Sequence, residues 1–216
     1  MVAQKVHVAI VLDRSGSMED CRTDAIGAVN SYLRQVKDDK EMEAAVSLIT
    51  FDSQGIDLIR DHVPAGSCAE LAPAEYQPRA STPLLDAVGH GAALLDKRKA
   101  TGARAILAVM TDGLENASRE YTKETIKALL DRKQKEDGWL VLYLGAGHDA
   151  WAQAGAIGLH AGNVASFSKQ AMGRSVSAMS MRAKRYAMAA DAGEEAKSGG
   201  FTERERADMQ DGKKKH

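Results

Sequence analysis

The chain has 216 residues, of which 44% are hydrophobic and 27% are charged, and its formal net charge is -1. This balance excludes a wholly disordered chain, and it argues against a dedicated nucleic-acid coat because such domains are usually strongly basic. No stretch approaches the ~20 consecutive apolar residues that a membrane-spanning helix needs.

Strands and helices alternate along most of the chain. Residues 6–12 form an almost unbroken apolar run that ends in polar residues, which is typical of a strand buried on both faces. Apolar residues spaced three, four and three apart then predict a helix over 20–37. The pattern continues with a strand over 45–51, a shorter edge strand over 57–63 and a loop over 64–81. A helix is expected after Pro83, with Ser81 or Thr82 as its cap. The remaining predicted elements are a strand over 104–111, a helix over 122–136, a strand over 139–144, a short helix over 149–155 and a strand over 164–167.

Repeated strand–helix units of this length predict an α/β fold. We expect a Rossmann-like, doubly wound and mainly parallel sheet with one antiparallel edge strand, which occupies a domain over residues 1–167. Parallel strands need helical crossovers, so helices should cover both faces of this sheet.

The last part of the chain differs in composition. Apolar residues at spacings of four and three predict a C-terminal helix, which we place at 168–192 as a helical extension of the domain. Its outer face is expected to be a solvated basic face that carries Arg174, Arg182, Lys184 and Arg185. Half of the residues over 193–216 are charged, so a mobile tail is expected there. Within it, Thr202 and Glu205 form the capping box of a short helix.

Two observations predict the compartment. The first residues run directly into a strand, without the apolar stretch and small-residue cleavage site of a secretory signal. Cys21 and Cys68 are too few for a disulfide framework, and their spacing matches no zinc motif. We therefore expect a cytoplasmic protein with reduced thiols.

Oxygen-bearing side chains follow several of the predicted elements at one end of the sheet. Asp13, Ser15 and Ser17 come after the first strand, Thr82 precedes a helix, and Asp112 follows the strand over 104–111. Ligands of open parallel sheets bind at the carboxyl ends of the strands, so these side chains should meet. Hard divalent cations prefer oxygen ligands, and Mg²⁺ keeps several waters. The set therefore predicts a Mg²⁺ site, with Mn²⁺ or Ca²⁺ as alternatives, that leaves one coordination position open.

The same residues carry a resemblance to a known family. The segments IVLDRSGSM, STPLLDAV and VMTDGLENAS resemble bacterial and phage-type von Willebrand factor A (vWA) domains over roughly residues 4–167. The resemblance implies the vWA fold and a metal-ion-dependent adhesion site. In such a site Ser15, Ser17 and Thr82 would contact the metal, while Asp13 and Asp112 would act directly or through water.

The resemblance also implies a function. It indicates a non-enzymatic binding module in which an Asp or Glu of a partner protein fills the open coordination position, and a chaperone-like ATPase is one such partner. Neither a membrane nor nucleic acid is expected among the partners, and no catalytic residue is assigned.

Other interpretations of these residues stay open. Asp13 and Asp112 would cap helices and the serines would satisfy loop backbone if no metal binds, although two neighbouring carboxylates repel each other without a cation. The alternative function is a Mg²⁺-dependent phosphohydrolase of the haloacid dehalogenase type that uses Asp13. That chemistry needs an acidic residue two positions later, where this chain has Ser15. Arg14 and Glu115, which flank the site loops, are expected to be exposed.

Overall fold

The computed structural model describes residues 3–146, 150–167 and 172–210. Its strands are β1 (Gln4–Asp13), β2 (Met42–Asp52), β3 (Gly55–Pro64), β4 (Arg104–Thr111), β5 (Leu140–Ala146) and β6 (Val164–Phe167). Its α-helices are α1 (Arg22–Asp38), α2 (Leu84–Arg98), α3 (Lys123–Lys135), α4 (Ala150–Ala156), α5 (Met172–Met188), α6 (Ala192–Ser198) and α7 (Glu203–Gln210). None of the described helices combines the length and the apolar character needed to cross a membrane.

The six strands form one sheet in the order β3-β2-β1-β4-β5-β6. All neighbouring pairs are parallel except β2 and β3, which are antiparallel. The prediction of a mainly parallel α/β sheet with one antiparallel edge strand is therefore confirmed. The strand order reverses between β1 and β4, where Leu12 pairs with Met110. Chain segments that leave the carboxyl ends of these two strands diverge and open a crevice.

Helices cover both faces of the sheet, which explains why the central strands are apolar on both sides. Val8, Ile10 and Leu12 of β1 pack into a core shared with α1 and α5, and Ala9 and Val11 pack into a second core shared with α2, α3 and α4. Side chains of a strand alternate between the faces, so a strand between two cores has few polar positions. Burial on both sides makes the ends of β1 and β4 rigid supports for the loops that follow.

The two edges of the sheet differ from its centre. The antiparallel edge strand β3 is partly exposed along its length, and its pairing with β2 shifts register between Val46 and Ile49. At the opposite edge β6 has four residues and pairs only along its short length with β5.

The basic face expected on α5 is wrong in part: Arg174 is exposed and Lys184 is partly exposed, but Arg182 is not. Arg182 is fully buried and donates to Asn163 Oδ1 (3.1 Å) and to Glu195 Oε1 (2.8 Å). Arg185 pairs with the buried Glu205. The helical periodicity of the sequence places these arginines on one side of α5. It does not show that carboxylates from the segment of α6 and α7 pack against that side.

The segment over 193–216 also differs from the expected mobile tail as far as it is described. Helices α6 and α7 pack on the domain and bury Ala196, Phe201 and Met209. These few apolar side chains anchor a segment whose average composition is polar. The capping box is confirmed, because the Thr202 amide donates to Glu205 Oε2 (2.7 Å) and the Glu205 amide donates to Thr202 Oγ1 (3.2 Å). Residues 211–216 lie outside the described residues, and the division of the chain into three parts stays a prediction.

Candidate metal centre

Four of the five predicted site residues form a continuous chain of contacts at the carboxyl ends of β1 and β4. Asp13, the last residue of β1, accepts a hydrogen bond on Oδ1 from the Ser15 amide (2.7 Å). The hydroxyl oxygens of Ser15 and Ser17 are 3.2 Å apart. Ser17 Oγ then donates to Asp112 Oδ1 (2.6 Å), directly after β4. The loops after two neighbouring strands thus place their oxygen atoms together, as the crevice geometry requires.

Thr82 approaches the same point from the loop before α2. A methyl group built on Gly113 would lie 2.6 Å from Thr82 Oγ1 and 3.3 Å from Asp13 Oδ2. Both oxygens therefore border the small space beside the Gly113 backbone. Thr82 and Asn116 are joined reciprocally: the Thr82 amide donates to Asn116 Oδ1 (2.9 Å), and the Asn116 amide donates to the Thr82 carbonyl (3.1 Å).

Asp13 lies at the buried end of the centre. The Thr111 hydroxyl donates to its Oδ2, and the Tyr76 hydroxyl donates to its carbonyl oxygen (2.5 Å). Burial raises the pKa of Asp13 to about 6, and the nearby Asp112 carboxylate acts in the same direction, while hydrogen bonds from Thr111 and Ser15 oppose the shift. A cation beside this carboxylate would offset the cost of keeping it charged. The sequence gives no signal for Tyr76, which lies in a long loop.

The five candidate ligands differ in their exposure to solvent. Asp13, Ser15 and Thr82 are buried, whereas Ser17 is exposed and Asp112 is half-buried. Leu114, two residues beyond Asp112, is 55% exposed. Solvent therefore reaches Ser17 and Asp112, whereas Asp13 is fully enclosed.

Glu115 is not an exposed flanking residue, and this prediction is wrong. Its Oε2 accepts from the amide of Leu85 (2.9 Å) and from the Ser118 hydroxyl (2.7 Å). The Ser118 hydroxyl is also 3.0 Å from the Leu85 amide. The first turn of α2 is thus capped from another loop, and the cap expected from Ser81 or Thr82 is absent at this described helix start. A cap supplied by a distant loop leaves no local trace in sequence.

Asp86 fixes the same loop from the side of α2. Its buried carboxylate accepts from three consecutive amides, those of Arg119 (2.8 Å), Glu120 (3.0 Å) and Tyr121 (2.9 Å). Hydrogen bonds to a charged acceptor are stronger than neutral ones. Asp86 and Glu115 together hold the loop that carries Asp112 against α2.

Arg14 is buried rather than exposed, which corrects the second expectation about flanking residues. Its guanidinium forms ion pairs with Asp52 (2.8 Å) and Asp57 (2.7 Å). The Arg14 side chain is buried because the adjoining end of β2 supplies a carboxylate, that of Asp52, to pair with it.

The chemistry of the donors fits a hard divalent cation. All five side chains present oxygen, and the glycine at position 113 keeps clear a space that a side chain would fill. Within the described residues, no group of three or more His, Cys, Asp or Glu side chains is placed to hold a metal ion. The candidate centre therefore depends on hydroxyl oxygens as well as its two carboxylates, which favours Mg²⁺ or a similar ion over a soft metal.

Solved structures of low sequence identity share this fold. A von Willebrand factor type A protein from Catenulispora acidiphila matches with a TM-score of 0.59 and 15% identity, over 84% of this chain and 43% of that chain. The PilB minor pilin from Streptococcus sanguinis matches with a TM-score of 0.57 and 12% identity, over 86% of this chain and 62% of that chain. The SpRpn10 VWA domain matches with a TM-score of 0.50 and 12% identity, over 73% of this chain and 81% of that chain.

The similarity to these structures is one of fold rather than of sequence. The chain spans less than two thirds of the length of the first two structures and most of the third. No family model matches the sequence, and the comparison with curated proteins found no match. The likeness therefore lies in the arrangement of the strands and helices. By its sheet order and its match to these structures, the chain has the fold of the von Willebrand factor A domains.

Proposed function

We propose that this chain is a divalent-metal-dependent protein-binding module. Asp13, Ser15, Ser17, Thr82 and Asp112 would hold the ion, with Mg²⁺ expected and Mn²⁺ or Ca²⁺ as alternatives. When bound, the ion supplies a coordination position that an Asp or Glu carboxylate of a protein partner completes. The observation that carries the proposal is the 2.6 Å contact between Ser17 Oγ and Asp112 Oδ1, which joins the two halves of the donor set.

The charges of the donor set support this function. Asp13 and Asp112 contribute two carboxylates to one site, and their mutual repulsion is relieved when a divalent cation lies between them. The other three donors are neutral hydroxyls. An ion held in part by neutral oxygens keeps more attraction for an external carboxylate than one held by carboxylates alone.

The accessible side of the centre supports a protein as the partner. Ser17 and Asp112 are the more accessible of the five candidate ligands, and the exposed Leu114 follows Asp112 by two residues. A protein segment with an acidic residue next to an apolar one would make both contacts. A minor pilin is among the proteins that share the fold, which is consistent with a role in protein association.

No observation favours the phosphohydrolase alternative. A general acid would be needed two residues after Asp13, and Ser15 at that position is buried with its hydroxyl beside Ser17. The proposal therefore assigns no catalytic residue. Release of phosphate from a generic phosphate ester in the presence of Mg²⁺ would support the alternative.

Calorimetric titration with MgCl₂ tests the metal site directly. The wild type should bind Mg²⁺, and Asp13→Ala should lose this binding while its circular dichroism spectrum stays that of a folded α/β protein. Asp24→Ala, which removes a carboxylate from the exposed first turn of α1, is the matched control and should bind as the wild type does. Unchanged Mg²⁺ affinity in Asp13→Ala would contradict the site.

An affinity pull-down then tests the proposed role of the metal in protein binding. Wild type and Asp13→Ala would each be used as bait with Mg²⁺ and with EDTA. A protein retained only by wild type with Mg²⁺ would support the proposal, and equal retention by both baits in EDTA would argue against it.

A further inference from the structure

Asp52 connects two arginines that come from different loops of the candidate metal centre. It is the last residue of β2, and its carboxylate is fully buried. Oδ2 accepts from Arg14 Nε (2.8 Å) and from Arg79 Nε (2.9 Å), while Oδ1 accepts from the Gln54 amide (2.7 Å). One carboxylate thus has three donors, and two of them are charged.

The two arginines stand close to the proposed ligands in the chain. Arg14 lies between Asp13 and Ser15, and Arg79 precedes Thr82 by three residues. A shift of the Arg14 backbone would therefore move both neighbouring ligands. The loops that carry Arg14 and Arg79 are distant in sequence. The side-chain contacts of Asp52 join them and so affect their relative position.

Backbone hydrogen bonds join the same two loops. The Arg79 amide donates to the Arg14 carbonyl (2.9 Å), and the Gly16 amide donates to the Ala80 carbonyl (3.1 Å). Ala80 has a φ of 58°, in the left-handed region that a residue other than glycine seldom adopts. Such a conformation persists only where surrounding contacts hold it, and the Asp52–Arg79 pair lies next to it.

We propose that Asp52 is a positioning residue of the metal centre: through Arg14 and Arg79 it holds the loop over 13–17 against the loop over 79–82. This role keeps the hydroxyls of Ser15 and Thr82 facing the same point and thereby raises the affinity for the cation. The inference rests on the proposed metal site and adds to it residues that carry no metal-binding atom of their own.

The charges around Asp52 allow the role to be tested in a folded protein. Arg14 also pairs with Asp57, so it keeps a counter-ion when Asp52 is neutralised. Arg79 is 47% exposed, so water can solvate it after the same change. Asp52→Asn keeps the shape of the side chain and still accepts from the Gln54 amide, but a neutral amide cannot hold two guanidinium groups.

The experiment measures the Mg²⁺ dissociation constant by calorimetry and the melting temperature in EDTA for each variant. Asp52→Asn is expected to weaken Mg²⁺ binding about 10-fold, the scale found when residues that orient metal ligands are changed. Arg79→Met should weaken binding to a smaller extent, and Arg79→Lys, which restores the positive charge, should recover part of the loss.

Arg98→Met is the matched control. Arg98 is also a half-exposed arginine that donates through Nε to a carboxylate, that of Asp61 (3.0 Å), but it lies at the end of α2 remote from the loops of the centre. Arg98→Met should change the melting temperature as much as Arg79→Met does, while its Mg²⁺ affinity stays that of the wild type.

The outcomes separate this inference from the proposed function. If Asp52→Asn and Arg79→Met bind Mg²⁺ as the wild type does while Asp13→Ala does not bind, Asp52 has only a structural role and the inference alone is overturned. If the wild type binds no Mg²⁺, both the metal site and its positioning residue are overturned. Weaker binding in both variants, with a normal control, supports the inference.

Discussion

Ser17 Oγ donates a hydrogen bond of 2.6 Å to Oδ1 of Asp112, a residue 95 positions further along the chain. The two residues meet because β1 and β4 are adjacent at the point where the strand order reverses. Each needs only a short loop beyond its strand to reach the other. Parallel pairing of two distant strands thus turns separated sequence motifs into one cluster of oxygen atoms.

The small space beside Gly113 predicts the effect of a single methyl group. Gly113→Ala would place Cβ 2.6 Å from Thr82 Oγ1 and 3.3 Å from Asp13 Oδ2, so the Thr82 hydroxyl must move. We expect Mg²⁺ affinity in calorimetry to fall at least about 10-fold, because a ligand oxygen is displaced. Gly27→Ala, in an exposed turn of α1 with no atom within 4 Å of the added methyl, is the control and should bind Mg²⁺ normally. Wild-type affinity in Gly113→Ala would show that Thr82 is not a ligand.

Asp13 should make the metal-free protein less stable as the pH rises. Its pKa is about 6 in the folded protein, against an ordinary value of 3.8, so the unfolded chain releases this proton first. Between pH 4 and pH 6 the free energy of unfolding therefore falls by about 3 kcal/mol. Asp13→Asn should remove this loss and unfold at higher urea concentration than the wild type in EDTA at pH 7.5. Parallel pH profiles for the two proteins would refute the explanation.

His7 should cause the opposite pH dependence. Burial, followed by the neighbouring His62, lowers the pKa of His7 from 6.5 to about 4. The unfolded chain then binds a proton between pH 6.5 and pH 4 that the folded protein does not, so stability falls as the pH falls, by about 3 kcal/mol. His7→Gln, which can still contact Ser47 Oγ, should flatten this part of the urea-unfolding profile. His90→Gln, at a partly exposed site beside Glu120, is the control, and a flattened profile there would count against His7.

The buried Arg182 predicts a coupling between α5 and α6. Glu195→Ala would leave the guanidinium of Arg182 without its 2.8 Å carboxylate contact. This change should lower the free energy of unfolding by roughly 3 kcal/mol. In the double variant Arg182→Met/Glu195→Ala no unpaired buried charge remains, so most of the loss should be recovered. Urea unfolding of the two single variants and the double variant measures this coupling, and additive losses would contradict it.

Features that depend on local periodicity were predictable from sequence. The short, β-branched apolar run over 6–12 indicated a strand buried on both faces, and the capping box of Thr202 and Glu205 could be located because its members lie three residues apart. The five candidate ligands could be grouped for a related reason. Each stands directly after a strand or before a helix, and the topology alone then places them at one edge.

Partners from distant parts of the chain could not be predicted. Glu115 looks like an ordinary loop residue until its loop is seen to lie on the first turn of α2, where it accepts from the Leu85 amide. Tyr76 reaches the carbonyl of Asp13 from within a proline-containing loop that has no repeating pattern. In both cases the stabilising hydrogen bond joins residues that are distant in sequence and that only tertiary packing brings together. No rule based on local sequence identifies such a partner.

The shapes of the two sheet edges also determine how this molecule can associate with others. Along β3 the register shift and the charged side chains of Asp57, Arg60 and Asp61 interrupt the flat row of amides and carbonyls that another strand would need. At the opposite edge, the described part of β6 covers four residues. Edges of this kind resist intermolecular strand pairing and the aggregation that follows from it. Extension of the sheet sideways by a strand of another chain is therefore disfavoured at β3.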